Sequence, residues 1–469
     1  MDLAKARESA RALFASLLPP QAQSSFRFVW LNNFEAERFW APRNAIQLPK
    51  FSQPADMAIV NRLEEMGLFL AQYPDVLILR EPSDKAFLAY LSDLGFDLPI
   101  MLTVDQADKV TPISEAILAD EAVMGMLSEL AMEEGACYLL PFAKTKMEEK
   151  ISDQTGLKSL GPSAAICERV NSKIYSRKIS NELGLRTIPG AECESIASLE
   201  GCFERFAAHL SERRSVVLKE AMGVSGKGLY VADTNAKLRQ IIGLIKRKAK
   251  PEDEVAFVME VWVDKLKDIN YQIFISPSGE TRLLALKEIV TRDGVHLGHR
   301  FPADLTAAQM ACYEEAAQAV GARLFEDGFT GLAGIDSIID REGAVYPVLE
   351  INARLNMSSY QLGLEWLIDP RSCVLAKHYP LLLKRPLSFS DLKSSLGPDL
   401  FIPPRNNAGA LIQNFAAVNV NFNPGDAAPF KGRLYSLIVG RNFEEVVQID
   451  QRISLKLGAW QAAESGRSN

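Results

Sequence analysis

Cysteine and histidine are scarce in this chain, and what they fail to form is informative. The 469 residues carry six cysteines and four histidines. Cys137, Cys167, Cys193, Cys202, Cys312 and Cys373 include no CxxC pair and no histidine at zinc-ligand spacing. Six thiols in so long a chain do not make a disulfide framework, so they read as reduced and mostly buried. His296 and His299, in GVHLGHRFP, lie three apart and would point to opposite sides of a strand, which argues against a histidine metal site. No apolar run approaches the roughly 18–20 residues a membrane span needs. The start, MDLAKARESARALF, lacks the basic-then-apolar order of a signal peptide. Lysine and arginine number 52 against 59 acidic residues, a net charge of −7, so no general polycation is present to wrap nucleic acid. These absences point to a cytosolic chain that engages neither membrane nor nucleic acid.

What is present is ordinary globular material: 48% hydrophobic, 24% charged and 8% aromatic. At roughly 100–200 residues per domain, two to four domains are expected. In the first 160 residues, FRFVWL (26–31), DVLILR (75–80), LPIMLTV (98–104) and CYLLPF (137–142) are short apolar runs bounded by turn residues. Helical periodicity over Ser114–Glu134, with Ser114 as N-cap, separates the last two. Strands alternating with helices imply a parallel α/β sheet covered on both faces. GPS (161–163) marks a boundary near 160.

Beyond it the texture changes. A polar helix, CERVNSKIYSRKISNELG, stops at Gly184, followed by strand SVVLKEA, loop GVSGKG (223–228), strand LYVAD and helix Asn235–Lys248. The KRKAK that ends this helix fits a C-terminus whose dipole favours cations better than a nucleic-acid patch. Long strands then dominate, with helix Ala307–Leu324 inserted, and the residues from 385 onward read as a small α/β cap with a helix over 443–454.

The sharpest chemistry lies in Glu350-Ile351-Asn352-Ala353-Arg354. On a strand, Glu350, Asn352 and Arg354 share one face while Ile351 and Ala353 face the core. A carboxylate and an amide oxygen are hard ligands that suit magnesium with phosphate oxygens, and an adjoining arginine can stabilise charge developing there. Asp336, on the preceding strand GLAGIDSII, joins Glu350's strand through DREG (340–343). The two carboxylates share a face only if the hairpin pairs residues of even sum. We expect an odd loop, with Gly343 at positive φ, that brings them together.

Lys219 ends VVLKEA just before Gly223, Gly226 and Gly228, a pattern suited to polyphosphate, since amides without side chains approach the oxygens closely. Neither a Walker A loop nor GxGxxG is matched. In FVMEVWVDKLKDINYQIFI, Glu260 closes an apolar strand, Val261–Val263 form a connector whose backbone can read a flat base, and Asp268 can accept from ribose hydroxyls.

In this order, a lysine-bearing helix, the lysine and glycine loop, the E-x-x-V connector, an aspartate, then Asp336 and E-x-N-x-R on adjacent strands, the chain resembles the ATP-grasp ligases over about 165–384. LEINARLNMSSYQ and KDINYQ are most similar to bacterial amino-acid ligases of secondary metabolism, which include peptide ligases and an enzyme loading an amino acid onto a carrier protein. The resemblance implies an α/β fold in three parts: a pre-ATP-grasp domain at 1–160, a two-lobed α+β ATP-grasp module at 161–384 (lobes about 165–262 and 263–384), and the C-terminal subdomain at 385–469.

It also implies roles. Lys173 and Lys219 would hold the α- and β-phosphates of ATP, with the loop from Gly223 through Ser225 and Gly226 to Gly228 over them. Glu260 with the backbone of Val261 and Val263 would take the adenine, and Asp268 the ribose. Asp336, Glu350 and Asn352 would bind two magnesium ions, with manganese able to substitute. Arg354 would meet the transferring phosphate, and Lys287 matches a basic position near the γ-phosphate. His299 and Arg300 are candidates for the substrate carboxylate; Arg292, Arg300 and Lys287 for docking an acidic carrier protein. One departure is the aspartate at the first metal position, where many members carry glutamate. The implied activity is ATP-dependent carboxylate–amine ligation through an acyl phosphate. Carboxylate–thiol ligation onto a carrier protein is the alternative, and a homodimer is compatible with either. A nucleotide sensor that kept the fold without catalysis fits less well with an intact E-x-N-x-R.

Overall fold

The computed structural model describes residues 10–49, 53–105, 108–133, 136–211, 214–223, 228–292, 295–364 and 366–466. The N-terminal sheet is parallel: β1 (Phe26–Leu31), β2 (Val76–Leu79), β3 (Ile100–Thr103), β4 (Ala136–Pro141) and β5 (Lys158–Ser159), in the order β3-β2-β1-β4-β5. Val29 and Leu31 pack with Val76, Ile78 and Leu139 on one face; Phe28 and Trp30 pack with Leu77, Leu79 and Tyr138 on the other. Burial on both sides is why these strands read as unbroken apolar runs. The order reverses between β1 and β4, so the loops leaving their carboxyl ends flank the crevice where such sheets place ligands.

The single helix expected over 114–134 is two helices, Ile113–Ala119 and Glu121–Met132. Asp120 breaks it: its backbone is extended, and its carboxylate accepts from the amides of Ala122 and Val123, capping the second helix. Ser114 is not the N-cap. It lies inside the first helix, and its hydroxyl donates to Glu148.

The next sheet is antiparallel, β6 (Gly190–Cys193), β7 (Val216–Glu220), β8 (Leu229–Ala232) and β9 (Phe257–Val261), in the order β6-β9-β7-β8. Val216, Leu218, Phe257 and Met259 bury its back against helices Ile196–Ser211 and Asn235–Lys248.

The third sheet is antiparallel with eight strands: β10 (Lys265–Ile275), β11 (Thr281–Arg292), β12 (Val295–Phe301), β13 (Gly331–Asp340), β14 (Val345–Asn352), β15 (Cys373–Leu383), β16 (Gly409–Asn414) and β17 (Phe430–Gly440). Their order is β14-β13-β10-β11-β12-β15-β17-β16. The α/β segment after 384 is therefore no separate layer. Its strands extend this sheet, with β17 paired to β15 along its whole length. Helix Ala307–Glu326 covers one face, where Tyr271, Ile273, Ile335 and Ile351 meet Tyr313, Ala317 and Val320. The alternate residues of β10, β13 and β14 point the other way. No helix among the described residues is long and apolar enough to cross a membrane.

Candidate active site

The β13–β14 hairpin closes through three residues, Arg341, Glu342 and Gly343. The Asp340 amide donates to Ala344 and the Gly343 amide to Asp340, both at 3.0 Å. Gly343 sits at φ +84°, the left-handed position such a loop needs. Asp336 lies directly opposite Glu350, and Gly334 opposite Asn352. A bulge on β14 between Tyr346 and Glu350 shifts the register by two residues, so it preserves which face each side chain takes.

Asp336 in turn faces Asn270 on β10, and Asn270 faces Lys287 on β11. Glu350, Asp336, Asn270 and Lys287 thus form one row across four strands, on the face away from helix 307–326. Asp336 accepts from Asn270 Nδ2 at 2.8 Å and from Asn352 Nδ2 at 3.1 Å. Burial, and after it the charge on Glu350, push the Asp336 carboxyl up to about 6. Two facing carboxylates that repel in a desolvated place, with two amides beside them, fit a divalent cation. Among the described residues no group of three or more His, Cys, Asp or Glu forms a complete cage. Magnesium takes one or two carboxylates and completes its shell with phosphate and water.

Cations surround this row. The polar helix expected to run unbroken to Gly184 stops at Val170 and restarts at Lys173. Asn171 interrupts it by exchanging hydrogen bonds with the backbone of Ala353, and Ser172 caps the second piece. The break puts Lys173 at a helix start, where its Nζ reaches Glu350 Oε1 at 2.5 Å and Gly223 O at 2.9 Å. Lys219 Nζ lies 2.6 Å from Glu260 Oε2, and Arg177 Nη1 lies 2.9 Å from Glu260 Oε1. The Glu260 carboxylate is therefore engaged from both sides. The Val261 amide is already spent on Pro189 O at 2.9 Å, so base reading through that N–H is not available in this arrangement. Val263 packs on the core behind β9.

Several other sequence candidates are placed as follows. Asp268 shares the face of Asn270 and pairs with Lys265 at 2.6 Å. Lys287 is buried and donates to Ser358 O at 3.2 Å and to Gln361 Oε1. By register, His299 shares Lys287's face through Ile289 and Asp268. Arg300 does not. It pairs with Glu288, whose partner Ile269 belongs to the opposite face, and it meets Glu288 at 2.7 Å and the Phe443 ring at 4.9 Å. The sheet turns Arg300 away from the row, so it is not among the residues gathered there. Ser225 and Gly226, and residues 224–227 generally, lie outside the described residues. Gly228 has φ +81°, and a Cβ there would lie 2.5 Å from Glu220 Oε2.

Arg354 ends the motif. Its Nη2 donates to Asn352 Oδ1 and its Nη1 to Leu355 O, both at 2.9 Å. The guanidinium sits 5.3 Å from the centre of the Phe142 ring and pairs with Glu37, both from the N-terminal domain.

Sequence reasoning missed Asn270, Gln272 and Arg177. The signal for the first two was there: in DINYQ a polar residue recurs at every second position of an otherwise apolar strand. Gln272 Nε2 bonds Asn356 Oδ1 at 3.0 Å, and Gly334 leaves the space for Asn356, since a Cβ there would lie 2.0 Å from Asn356 Nδ2. Leu229 and Val231 were also missed. They are exposed on β8, on the same sheet face as Lys219.

Comparison with known proteins agrees with this geometry. Residues 63–157 match the pre ATP-grasp domain, and residues 172–361 match the carbamoyl-phosphate synthase L chain ATP-binding domain. The chain belongs to the ATP-grasp superfamily of ADP-forming ligases. It is 29% identical over 318 residues to the [butirosin acyl-carrier protein]–L-glutamate ligase of Niallia circulans, covering 67% of this chain and 70% of that protein. Its fold is similar to that of N5-carboxyaminoimidazole synthetase from Staphylococcus aureus, with TM-score 0.51, 11% identity, and 92% and 97% of the two chains covered. It is similar also to the biotin carboxylase domain of 2-oxoglutarate carboxylase from Hydrogenobacter thermophilus, a dimer solved with MgADP, with TM-score 0.51, 14% identity, and 90% and 88% covered.

Proposed function

We propose that this ligase activates a carboxylate as an acyl phosphate and passes the acyl group to the thiol of a carrier protein. The observation that carries the activation step is the juxtaposition of Asp336 and Glu350, with Asn352 and Arg354 continuing the same face. The thiol acceptor draws its support from the likeness to the butirosin carrier-protein ligase over two thirds of the chain. That likeness favours it over the amine acceptor expected first from the sequence.

In this reading Asp336, Glu350 and Asn352 hold magnesium, two ions in the full complex, with manganese able to replace them. When bound, the metal neutralises phosphate charge during transfer. Lys173 and Lys219 hold the α- and β-phosphates. Leu229 and Val231 back the base, the connector Glu260–Val263 lies at its edge, and Asp268 takes the ribose. A substrate carboxylate oxygen attacks the γ-phosphorus, and the bond to the leaving ADP breaks. A thiolate then attacks the acyl carbon, and phosphate departs from the tetrahedral intermediate. Positioning and charge do the work, so no enzyme nucleophile is needed.

The test is an ADP-release screen over amino acids with Mg-ATP, with and without a carrier protein bearing its phosphopantetheine arm. The expected result is release that depends on the carrier protein, with a hydroxylamine-labile mass gain on its arm. Carrier-independent release with a stable amide product would return the acceptor to an amine.

Nucleotide binding should depend on Lys219. With Lys219→Ala, a charge aimed at phosphate is lost and Glu260 keeps only Arg177 among these two cations, so Mg-ATP affinity should fall by about 1.5–3 kcal/mol. Calorimetry finding unchanged affinity would remove Lys219 from the phosphate site.

A further inference from the structure

Arg354 is held by a residue from the far side of the crevice. Its Nη2 is shared between Asn352 Oδ1 and the carboxylate of Glu37, its Nη1 is fixed by Leu355 O, and the Phe142 ring supports its face. Among the described residues its Nε is buried and has no hydrogen-bond partner. The guanidinium is largely buried. A desolvated cation needs an anion against it, and Glu37 supplies one.

Glu37 is itself rigidly placed. It lies on the turn Ala36–Phe39 that follows β1, at the carboxyl end of the N-terminal sheet, where the strand order reverses. Three residues flanking that turn are pinned. The Asn33 side chain exchanges bonds with the backbone of Ala143, at 2.8 and 3.2 Å. Glu35 pairs with Arg80 at 2.8 Å. Trp40 Nε1 donates to Lys144 O at 3.0 Å. The stretch after Arg354 is tied to the same platform, with the Leu355 amide on Phe142 O at 3.0 Å and the Tyr360 hydroxyl on Asn32 Oδ1 at 2.6 Å. Two ends of one crevice thus converge on a single guanidinium.

We propose that Glu37 is a positioning residue for Arg354: it fixes the plane of the guanidinium, so that its Nε edge is aimed where charge grows on the transferring phosphate. This rests on the reading that Arg354 meets that phosphate. A carboxylate there does what Asn352 alone cannot. An amide oxygen accepts one N–H but adds no counter-charge, and a guanidinium held only by neutral groups can swing toward the nearest phosphate of the ground state. Preorganisation of this kind acts on the transition state and not on nucleotide affinity.

The experiment needs no knowledge of the substrate. Mg-ADP alone is compared with Mg-ADP plus aluminium fluoride, a mimic of the phosphoryl group in transfer, by calorimetry on the full chain. The parent should bind the fluoride complex more tightly. Glu37→Gln keeps the shape and loses the charge. It should weaken the fluoride complex by about tenfold while Mg-ADP stays within about twofold, and Glu37→Asp should recover part of the loss. In an Arg354→Lys background, Glu37→Gln should cost little more, because it acts through the arginine. Equal losses for both probes, or losses that multiply in the double variant, would make Glu37 a general structural contact and overturn the proposal. An unchanged fluoride complex in a folded Glu37→Gln protein would overturn it also. A parent that binds Mg-ADP with no gain from fluoride would remove the premise about Arg354 and the proposal together. Failure to bind Mg-ADP at all would instead overturn the nucleotide reading itself.

Discussion

Arg354→Lys should bind Mg-ATP within about threefold of the parent and lose on the order of 10²–10³ in kcat. The reason lies in who meets the ground state. In the proposed reading Lys173 and Lys219 hold the phosphates, and without nucleotide each is paired with a carboxylate. Arg354 sits further along the same face, beyond Asn352, and its contribution should be greatest where charge builds as the phosphoryl group moves and the acyl carbon becomes tetrahedral. Lysine keeps one positive charge but has no planar fork. It cannot satisfy Asn352 Oδ1, Leu355 O and Glu37 together and still present an N–H to the phosphate. Single-turnover ADP release, set beside Mg-ATP affinity by calorimetry, separates the two effects. A variant that loses nucleotide affinity while its bound turnover stays normal would make Arg354 a binding residue and end its assignment to the transition state.

The parts of this site legible in the sequence were those fixed by local rules. Alternation along VYPVLEINAR placed Glu350, Asn352 and Arg354 on one face, and the parity of an odd hairpin loop with Gly343 brought Asp336 opposite Glu350. The parallel N-terminal strands were legible because double burial leaves unbroken apolar runs. Illegible were the features decided by distant partners. Asn171 breaks a continuous polar helix only because it satisfies the backbone of Ala353, 182 residues further along the chain. Asp120 ends a helix that periodicity carries straight through, since its capping bonds compete locally with the helix. Arg300 and Lys287 look like neighbours in a list of cations, yet the β11–β12 register sends them to opposite faces, and one residue of slip would reverse that. Glu37 carries no local mark at all. It matters through its partner, and the partner is set by how the N-terminal sheet docks on the loop after Arg354.

Asp336→Asn and Glu350→Gln should each cost on the order of a hundredfold or more in turnover at saturating magnesium, and the double variant should cost little beyond the worse single one. The two side chains face each other across the hairpin and would serve the same ions, so removing either spoils a shared arrangement instead of one of two independent ones. Stability should move the other way for Asp336. Without metal, its charge is opposed by burial and by Glu350, and the Asn270 and Asn352 amides with the more remote Lys173 offset this only in part. The isosteric amide removes that repulsion and keeps an acceptor for Asn270, but gives up the bond accepted from Asn352 Nδ2, so metal-free Asp336→Asn should melt close to the parent or above it. Glu350→Gln should gain less or nothing, because it strips Lys173 of the carboxylate 2.5 Å away. Added magnesium with ADP should then stabilise the parent and fail to stabilise either variant, as ligand linkage requires of a site that has lost its cation ligands. A thermal-shift series in metal-free buffer and with Mg-ADP reads all of this without a substrate. If Asp336→Asn melts well below the parent without metal yet responds normally to Mg-ADP, the carboxylate is a structural group of the hairpin, and the metal must be held elsewhere.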